Sequence, residues 1–243
     1  GAICGCKLMK NIDINADIGE GRPGNSIDLQ LMEHVDTANI ALGAHAGDPA
    51  WSRDLAARAA ELKKSVSLHP GYPDREGFGR RKMDIPFDTL RVSLDRQRAV
   101  LPNVDSCKFH GAIYNEATIN PAFAADLIGW CVDQGIVQVI APDASCLAIA
   151  AMAAGIKVVR EAFVDRRYTH DGDRLVLVGR SDPNALITEI KDAIDQANDI
   201  VNKGCVALIN GDERVIRCDT LCLHGDSDLA IELAQALRQW KIQ

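Results

Sequence analysis

The chain has 243 residues, 47% of them hydrophobic, which suffices for one sizeable core and suits an α/β barrel occupying a single domain. Lys and Arg number 27 against 34 Asp and Glu, a formal charge of -7, so the surface is not built to neutralise phosphate backbones and no nucleic-acid partner is expected. No apolar stretch approaches the roughly 20 residues that span a bilayer, which predicts a soluble, cytoplasmic protein without a membrane partner.

Residues 1–8 lack an extended apolar region ahead of a small-residue cleavage site, and Met9-Lys10 looks like a natural start. Residues 1–8 therefore read as an N-terminal extension or expression remnant, and 9–243 as a single barrel domain. The sequence has 8 cysteines and no C-x-x-C pair. Cys107, Cys131 and Cys146 lie in apolar segments, where a thiol behaves as a small hydrophobe. Cys4-x-Cys6 and Cys218-x3-Cys222 lack a second half at zinc-site spacing, so all are read as reduced and structural or incidental.

The first β-like run, near 11–16, leads into Asn15-x-Asp17-x-Gly19-Glu20. Alternation puts Asp13, Asn15 and Asp17 on one face, and Gly19 lets the chain turn. Asp17 and Glu20 suit a general base or a metal ligand; their bland reading is a helix cap and a solvated loop carboxylate. His34, inside the helical stretch Ile27–Val35, is read as surface or packing. A second run, near 37–42, carries Asn39 and ends before His45, and Asp48-Pro49 then starts a helix, with the aspartate capping and the proline in the first turn.

The third run, near 65–68, ends at His69 and opens the long Pro70–Asp84 loop, which holds Arg80, Arg81 and Lys82. The fourth, near 104–109, delivers Lys108 and His110 on one face; Asn120-Pro121 starts a helix after it. The fifth, near 136–141, precedes a packed helix from Cys146 to Ala154. The sixth, near 156–163, carries Glu161 and leads to Asp165 and a second long loop, Val164–Ser181, with Arg166, Arg167 and Arg180. Loops of that length are usually functional, and their arginines could form a fork for a carboxylate or phosphate. Asp182-Pro183 marks another helix start. The seventh run, near 219–223, ends before His224, and Leu229, Leu233, Ala236, Leu237 and Trp240 form the apolar stripe of a last helix.

Polar residues of catalytic type thus recur at the downstream ends of the runs. A lone histidine is more often a satisfied packing group than a catalyst, but His45, His69, His110 and His224 share one topological position. A doubly wound open sheet gathers only two or three strand ends at its switch point, whereas a barrel gathers nearly all of them. About seven β/α units of roughly 35 residues fit the length, so a seven-stranded barrel is expected. No phosphate-binding G-x-x-x-x-G-K-[ST], dinucleotide fingerprint or G-x-S-x-G elbow is present.

The motifs NADIGE at 15–20, ANIALGAHAGDP at 38–49, HPGYPD and GFGRR at 69–81, KFHGAIYN at 108–115, EAFVDRRYTHDG at 161–172 and DTLCLHGD at 219–226 resemble the LamB/YcsF family, over about Asn11 to Trp240. Leu42, Ala44 and Phe109 depart from the family's usual cysteine, phenylalanine and proline. The resemblance implies an α/β fold, a seven-stranded distorted (β/α) barrel related to the glycoside hydrolase/deacetylase barrels. It implies the A subunit of a prokaryotic 5-oxoprolinase, which hydrolyses 5-oxo-L-proline to glutamate with ATP, together with the B and C subunits. It leaves open whether ATP binds through the partner subunits, whether a divalent metal takes part and whether the chain self-associates.

Carried onto matching positions, the family's polar motif residues are Asp17, Glu20, His45, His69, Lys108 and His110, read as catalytic, and Asn15, Asn39, Tyr114, Glu161, Asp165, Arg166 and His224, read as substrate-binding. The roles inferred for them are water orientation by Asp17 or Glu20, proton shuttling by His45 and His69, oxyanion stabilisation by Lys108 and His110, and carboxylate anchoring by Arg166. Two alternatives stand beside this reading. One is a deacetylase-like amidohydrolase with a metal on Asp17, His45 and His69; the other is a non-catalytic lactam-binding subunit.

Overall fold

The computed structural model describes residues 12–21, 23–225 and 229–242. Residues 1–8, with the Cys4-x-Cys6 pair, lie outside them. The seven apolar runs become seven strands: β1 (Asp13–Ile18), β2 (Thr37–Ala41), β3 (Ser65–His69), β4 (Ser106–Cys107), β5 (Gln138–Pro142), β6 (Lys157–Phe163) and, after two hairpins described below, β11 (Thr220–Leu223). They form one closed, all-parallel barrel, in the order β1, β11, β6, β5, β4, β3, β2 and back to β1. Helices α1 (Ser26–His34), α2 (Pro49–Glu61), α3 (Phe87–Arg98), α4 (Gly111–Ile119), α5 (Pro121–Asp133), α6 (Cys146–Ala153), α7 (Ile190–Asn198) and α8 (Ala230–Ile242) lie in the connections and after β11.

Strand alternation divides the residues between two environments. Ile14, Ala16, Ile18, Ala38, Ile40, Leu68 and Leu221 are fully buried in the apolar core, which includes Leu31, Leu55, Leu94 and Trp130 from the helices. The other face of the same strands is polar. Asn15 Nδ2 donates to Thr220 Oγ1 at 2.8 Å, Thr37 Oγ1 to Asp13 Oδ1 at 2.9 Å, and Ser106 Oγ to Ser67 Oγ at 3.3 Å. Small polar side chains can fill a barrel interior when they satisfy one another, and the network then fixes one arrangement.

Asp48 caps α2 by accepting from Ala50 N at 2.9 Å and Trp51 N at 3.1 Å, and Asn120 caps α5 by accepting from Phe123 N at 3.2 Å, both as expected. Asp182-Pro183 does not start a helix. Asp182 Oδ1 instead accepts from Asn184 N at 2.8 Å, an Asx turn, and α7 begins at Ile190, where an amphipathic run supplies a face to bury. The second long loop is also more ordered than expected: it contains the antiparallel hairpin β7 (Tyr168–Asp171) with β8 (Arg174–Leu177). A further hairpin, β9 (Cys205–Ala207) with β10 (Glu213–Val215), follows α7. Among the described residues no helix is long and apolar enough to cross a membrane.

Candidate active site

The downstream strand ends open onto a cavity of about 220 Å³, lined by Asp17, Glu20, His69, Lys108, His110 and Tyr114 among others. That is smaller than the roughly 300–1,000 Å³ of drug-sized pockets and suits a small metabolite. Its far wall carries Phe163, Arg166, Arg180 and His224, with Arg80 from the Pro70–Asp84 loop.

Lys108, just past β4, is enclosed by groups from three other strands. Its Nζ lies 2.9 Å from Asp17 Oδ1, 2.9 Å from Glu161 Oε1, 3.0 Å from Cys222 Sγ and 3.3 Å from Asn15 Oδ1. Burial works against the ammonium, but Asp17, Cys222 and Glu161 outweigh it and hold its pKa well above the usual lysine value. Burial likewise works to raise the Asp17 carboxyl, while His69 and Lys108 hold it well below the usual carboxylate range. Asp17 is therefore an anion, and Asn39 Nδ2 steadies it by donating to Asp17 Oδ1 at 3.0 Å and Asn15 Oδ1 at 2.7 Å. Asn15 and Asn39 do not line the cavity; they orient the groups that do.

A second cluster forms the rim. His45 and His110 stack with centroids 3.7 Å apart, and His69 stands edge-on to both. Glu20 Oε1 lies 3.1 Å from His45 Nε2, 3.1 Å from His110 Nδ1 and 3.6 Å from His69 Nε2. Burial works to raise the Glu20 carboxyl, yet its bonds with His110 and His45 hold it well below the usual value. Burial lowers His45 to about 4, so its ring is neutral at physiological pH. His69 is raised, because the nearby Asp17 carboxylate overcomes the effect of burial. Glu20, His45, His69 and His110 each place one donor atom within 4.8 Å of the others. Asp17 reaches this cluster through Oδ2, 3.3 Å from His69 Nε2.

Of the remaining candidates Tyr114, Arg166 and His224 line the cavity, whereas Glu161 and Asp165 do not line it and instead hold groups that do. Tyr114 OH donates to Glu161 Oε2 at 2.7 Å, and burial holds the phenol protonated. Asp165 pairs with His224, Oδ1 to Nδ1 at 3.0 Å, and accepts from His224 N at 2.8 Å, fixing the ring that stacks on Phe163. Arg166 donates to Val178 O at 2.7 Å. The loop cations divide. Arg80, Arg166 and Arg180 line the cavity, whereas Arg81 pairs with Asp74 and Glu76, Lys82 pairs with Glu116, and Arg167 is exposed.

Two contributors escaped sequence reasoning. Cys222 touches the Lys108 ammonium, although alternation with Thr220 on β11 and His224 just past it would have signalled its inward direction. Phe78, in the middle of a loop, packs edge-on to His45 and His110 and accepts from His110 Nε2 at 2.8 Å through its carbonyl. No local pattern marks it.

The LamB/YcsF family model matches residues 12–243. The A subunit of 5-oxoprolinase from Neisseria meningitidis serogroup C is 38% identical over 240 residues, 95% of this chain and 96% of that protein. Its counterpart of the same name from Bacillus cereus strain AH187 is 33% identical over 244 residues, 94% of each. The crystal structure of the lactam utilization protein from Thermus thermophilus superposes with a TM-score of 0.82 at 30% identity, covering 95% of both chains. With the closed parallel barrel and its polar mouth, these matches make the chain a member of the LamB/YcsF family.

Proposed function

We propose that this chain is the A subunit of an ATP-dependent 5-oxoprolinase, opening 5-oxo-L-proline to glutamate with partner B and C subunits in the cytoplasm. The observation that carries the reading is the small barrel-mouth cavity, where two carboxylates held as anions face a wall of arginines. The relatives' shared name supplies the substrate class.

A five-membered lactam is an unreactive amide, and transfer of a phosphoryl group from ATP to its oxygen makes the ring carbon electrophilic. Water then adds to that carbon, and the C–N bond breaks with the proton going to the ring nitrogen. This leaves an acyl phosphate, which a second water hydrolyses to glutamate and phosphate. ATP is bound with the help of the partner subunits.

Within this scheme Asp17 or Glu20 orients the attacking water and accepts its proton, since both are ionised and both reach the cavity. Lys108 keeps Asp17 and Glu161 charged inside the barrel and offers positive potential to oxygen above it. Arg166 and Arg180 take the substrate carboxylate, with Arg80 beside them. His45 lies behind the cavity wall, so it acts through Glu20 rather than on the substrate.

The test measures ATP-dependent glutamate formation by the native chain with and without the B and C subunits. We expect turnover only with all three, and an Asp17→Asn chain in the same mixture should lose at least about 100-fold in turnover. Glutamate formation at the native rate with Asp17→Asn would remove Asp17 from the reaction, and no calorimetric binding of 5-oxoproline to the assembled enzyme would remove the substrate.

A further inference from the structure

The backbone fixes where the protons of two rim histidines sit. His69 Nδ1 donates to Lys108 O at 2.8 Å, and His110 Nε2 donates to Phe78 O at 2.8 Å. A carbonyl oxygen can only accept, so each of those nitrogens carries its hydrogen. In the neutral rings His69 Nε2 and His110 Nδ1 are then bare lone pairs, and they face each other at 3.0 Å. Glu20 Oε1 is a third electron-pair donor at the same place, 3.1 Å from His110 Nδ1 and 3.6 Å from His69 Nε2. His45 Nε2 is 3.1 Å from that oxygen. A proton on His69 Nε2 serves His110 Nδ1 and Asp17 Oδ2, 3.3 Å away, and leaves His110 without a bond to Glu20, whereas a cation among the donors binds His69, His110 and Glu20 together.

We propose that Glu20, His69 and His110 bind one divalent transition-metal ion of the zinc type, at the wall of the barrel-mouth cavity, while His45, stacked on His110, holds Glu20 from behind. Metal–nitrogen bonds of about 2.0–2.1 Å in a tetrahedral site place ligand atoms about 3.3 Å apart. The three donor separations here, 3.0, 3.1 and 3.6 Å, bracket that spacing. Two imidazoles and a carboxylate form a donor set for zinc, cobalt, nickel or ferrous iron rather than magnesium or calcium. Lys108 O and Phe78 O orient two of the rings from behind, the outer contact that ligating histidines use to fix their tautomer. Glu20, His69 and His110 line the cavity, so the ion would face substrate.

A second group, Asp17, Cys222 and His224, also has donor atoms near one another. There the Lys108 ammonium stands 2.9 Å from Asp17 Oδ1 and 3.0 Å from Cys222 Sγ, in the place a cation would take.

When bound, the ion supplies Lewis acidity and a water of lowered pKa. Its catalytic use rests on the proposed ring opening; its binding does not. The test titrates Co²⁺ into the chelator-stripped chain without substrate and follows the visible d–d bands, with Zn²⁺ titrated by calorimetry in parallel. We expect one equivalent, the band intensity of a four- or five-coordinate ion, no thiolate charge-transfer band, and imidazole scattering in X-ray absorption. His69→Ala and His110→Ala should weaken binding at least about 100-fold, while the exposed His170→Ala leaves it unchanged. No d–d band at millimolar Co²⁺, a thiolate band, or binding unaltered in folded His69→Ala and His110→Ala chains would overturn the site. Spectra of the native chain decide the matter even if those variants do not fold. Failure of 5-oxoproline to bind would sink the substrate assignment and leave the metal result standing.

Discussion

Lys108 is a charged side chain in a place where charge is costly, and its worth is set by what its removal would expose. Asp17 and Glu161 are both buried and both within 2.9 Å of its Nζ. Removing one partner of a buried ion network costs about 3–5 kcal/mol, because the remaining charges stay desolvated. Lys108→Met should therefore lower the free energy of unfolding by that amount in urea titrations, in addition to abolishing turnover. Lys108→Arg should not restore function, since a planar fork cannot fit a space shaped for a compact ammonium bonded to oxygen and sulfur. Gly79 is a single-residue constraint of another kind. Its φ is +62°, and an added Cβ would lie 2.7 Å from His45 Cβ and 3.0 Å from His110 Cδ2. Gly79→Ala should displace both rings, seen as loss of metal affinity in the cobalt titration with little change in far-UV circular dichroism.

The Pro70–Asp84 loop has no regular structure, yet it holds one wall of the site, and α3 anchors it. Gln97, buried on that helix, donates through Nε2 to Gly71 O at 2.9 Å and accepts from Gly71 N at 2.9 Å. Gln97→Leu leaves both backbone groups unpaired and should cost about 1–3 kcal/mol in urea denaturation, with faster hydrogen exchange confined to the loop. At the other end of the barrel α8 is tied to the chain after α1. Arg238 Nη1 and Lys241 Nζ donate to the Asp36 carboxylate at 2.7 and 2.6 Å, and Ile14 N donates to it at 3.1 Å. Burial works to raise the Asp36 carboxyl, and Lys241 and Arg238 prevail, holding it below the usual value. A carboxyl depressed in the folded state stabilises it above the unfolded pKa of about 3.9 and stops doing so as pH falls through the folded value. Because Arg238 is only half-buried and Asp36 is partly open to solvent, the contribution is modest. Asp36→Asn should cost about 1 kcal/mol at pH 7, and its deficit should shrink in urea titrations carried out below about pH 3.9.

Closure is what makes the molecule a site. β1 pairs with β2 on one side and with β11, some two hundred residues away in the chain, on the other. Asn15, Lys108 and Cys222 can meet only because the sheet returns to its first strand. Opening any seam would expose the polar interior and the apolar outer face together. Unfolding should accordingly be one transition, coincident by tryptophan fluorescence and circular dichroism; two separable transitions would show that the β6–β11 connection with its two hairpins folds as an independent unit.

Local patterning carried much of this. All seven apolar runs became barrel strands, because period-two alternation with a polar face is written in consecutive residues such as Asp13 to Ile18. The Asp48 and Asn120 caps were legible for the same reason, whereas Asp182, in an identical Asp-Pro pair, capped nothing because no amphipathic run follows it directly. The hairpin Tyr168–Leu177 was hidden among charged and glycine residues whose pairing depends on docking. Strand ends likewise announced Asp17, His69 and His224 as neighbours of the mouth. Which atom faces which was not local information. The bare nitrogens of His69 and His110 oppose each other because Lys108 O and Phe78 O hold the rings from behind, and those carbonyls are positioned by a strand pairing and by an irregular loop. Periodicity assigns a side chain to a face, but its angular position around a closed sheet follows from the packing of every strand at once.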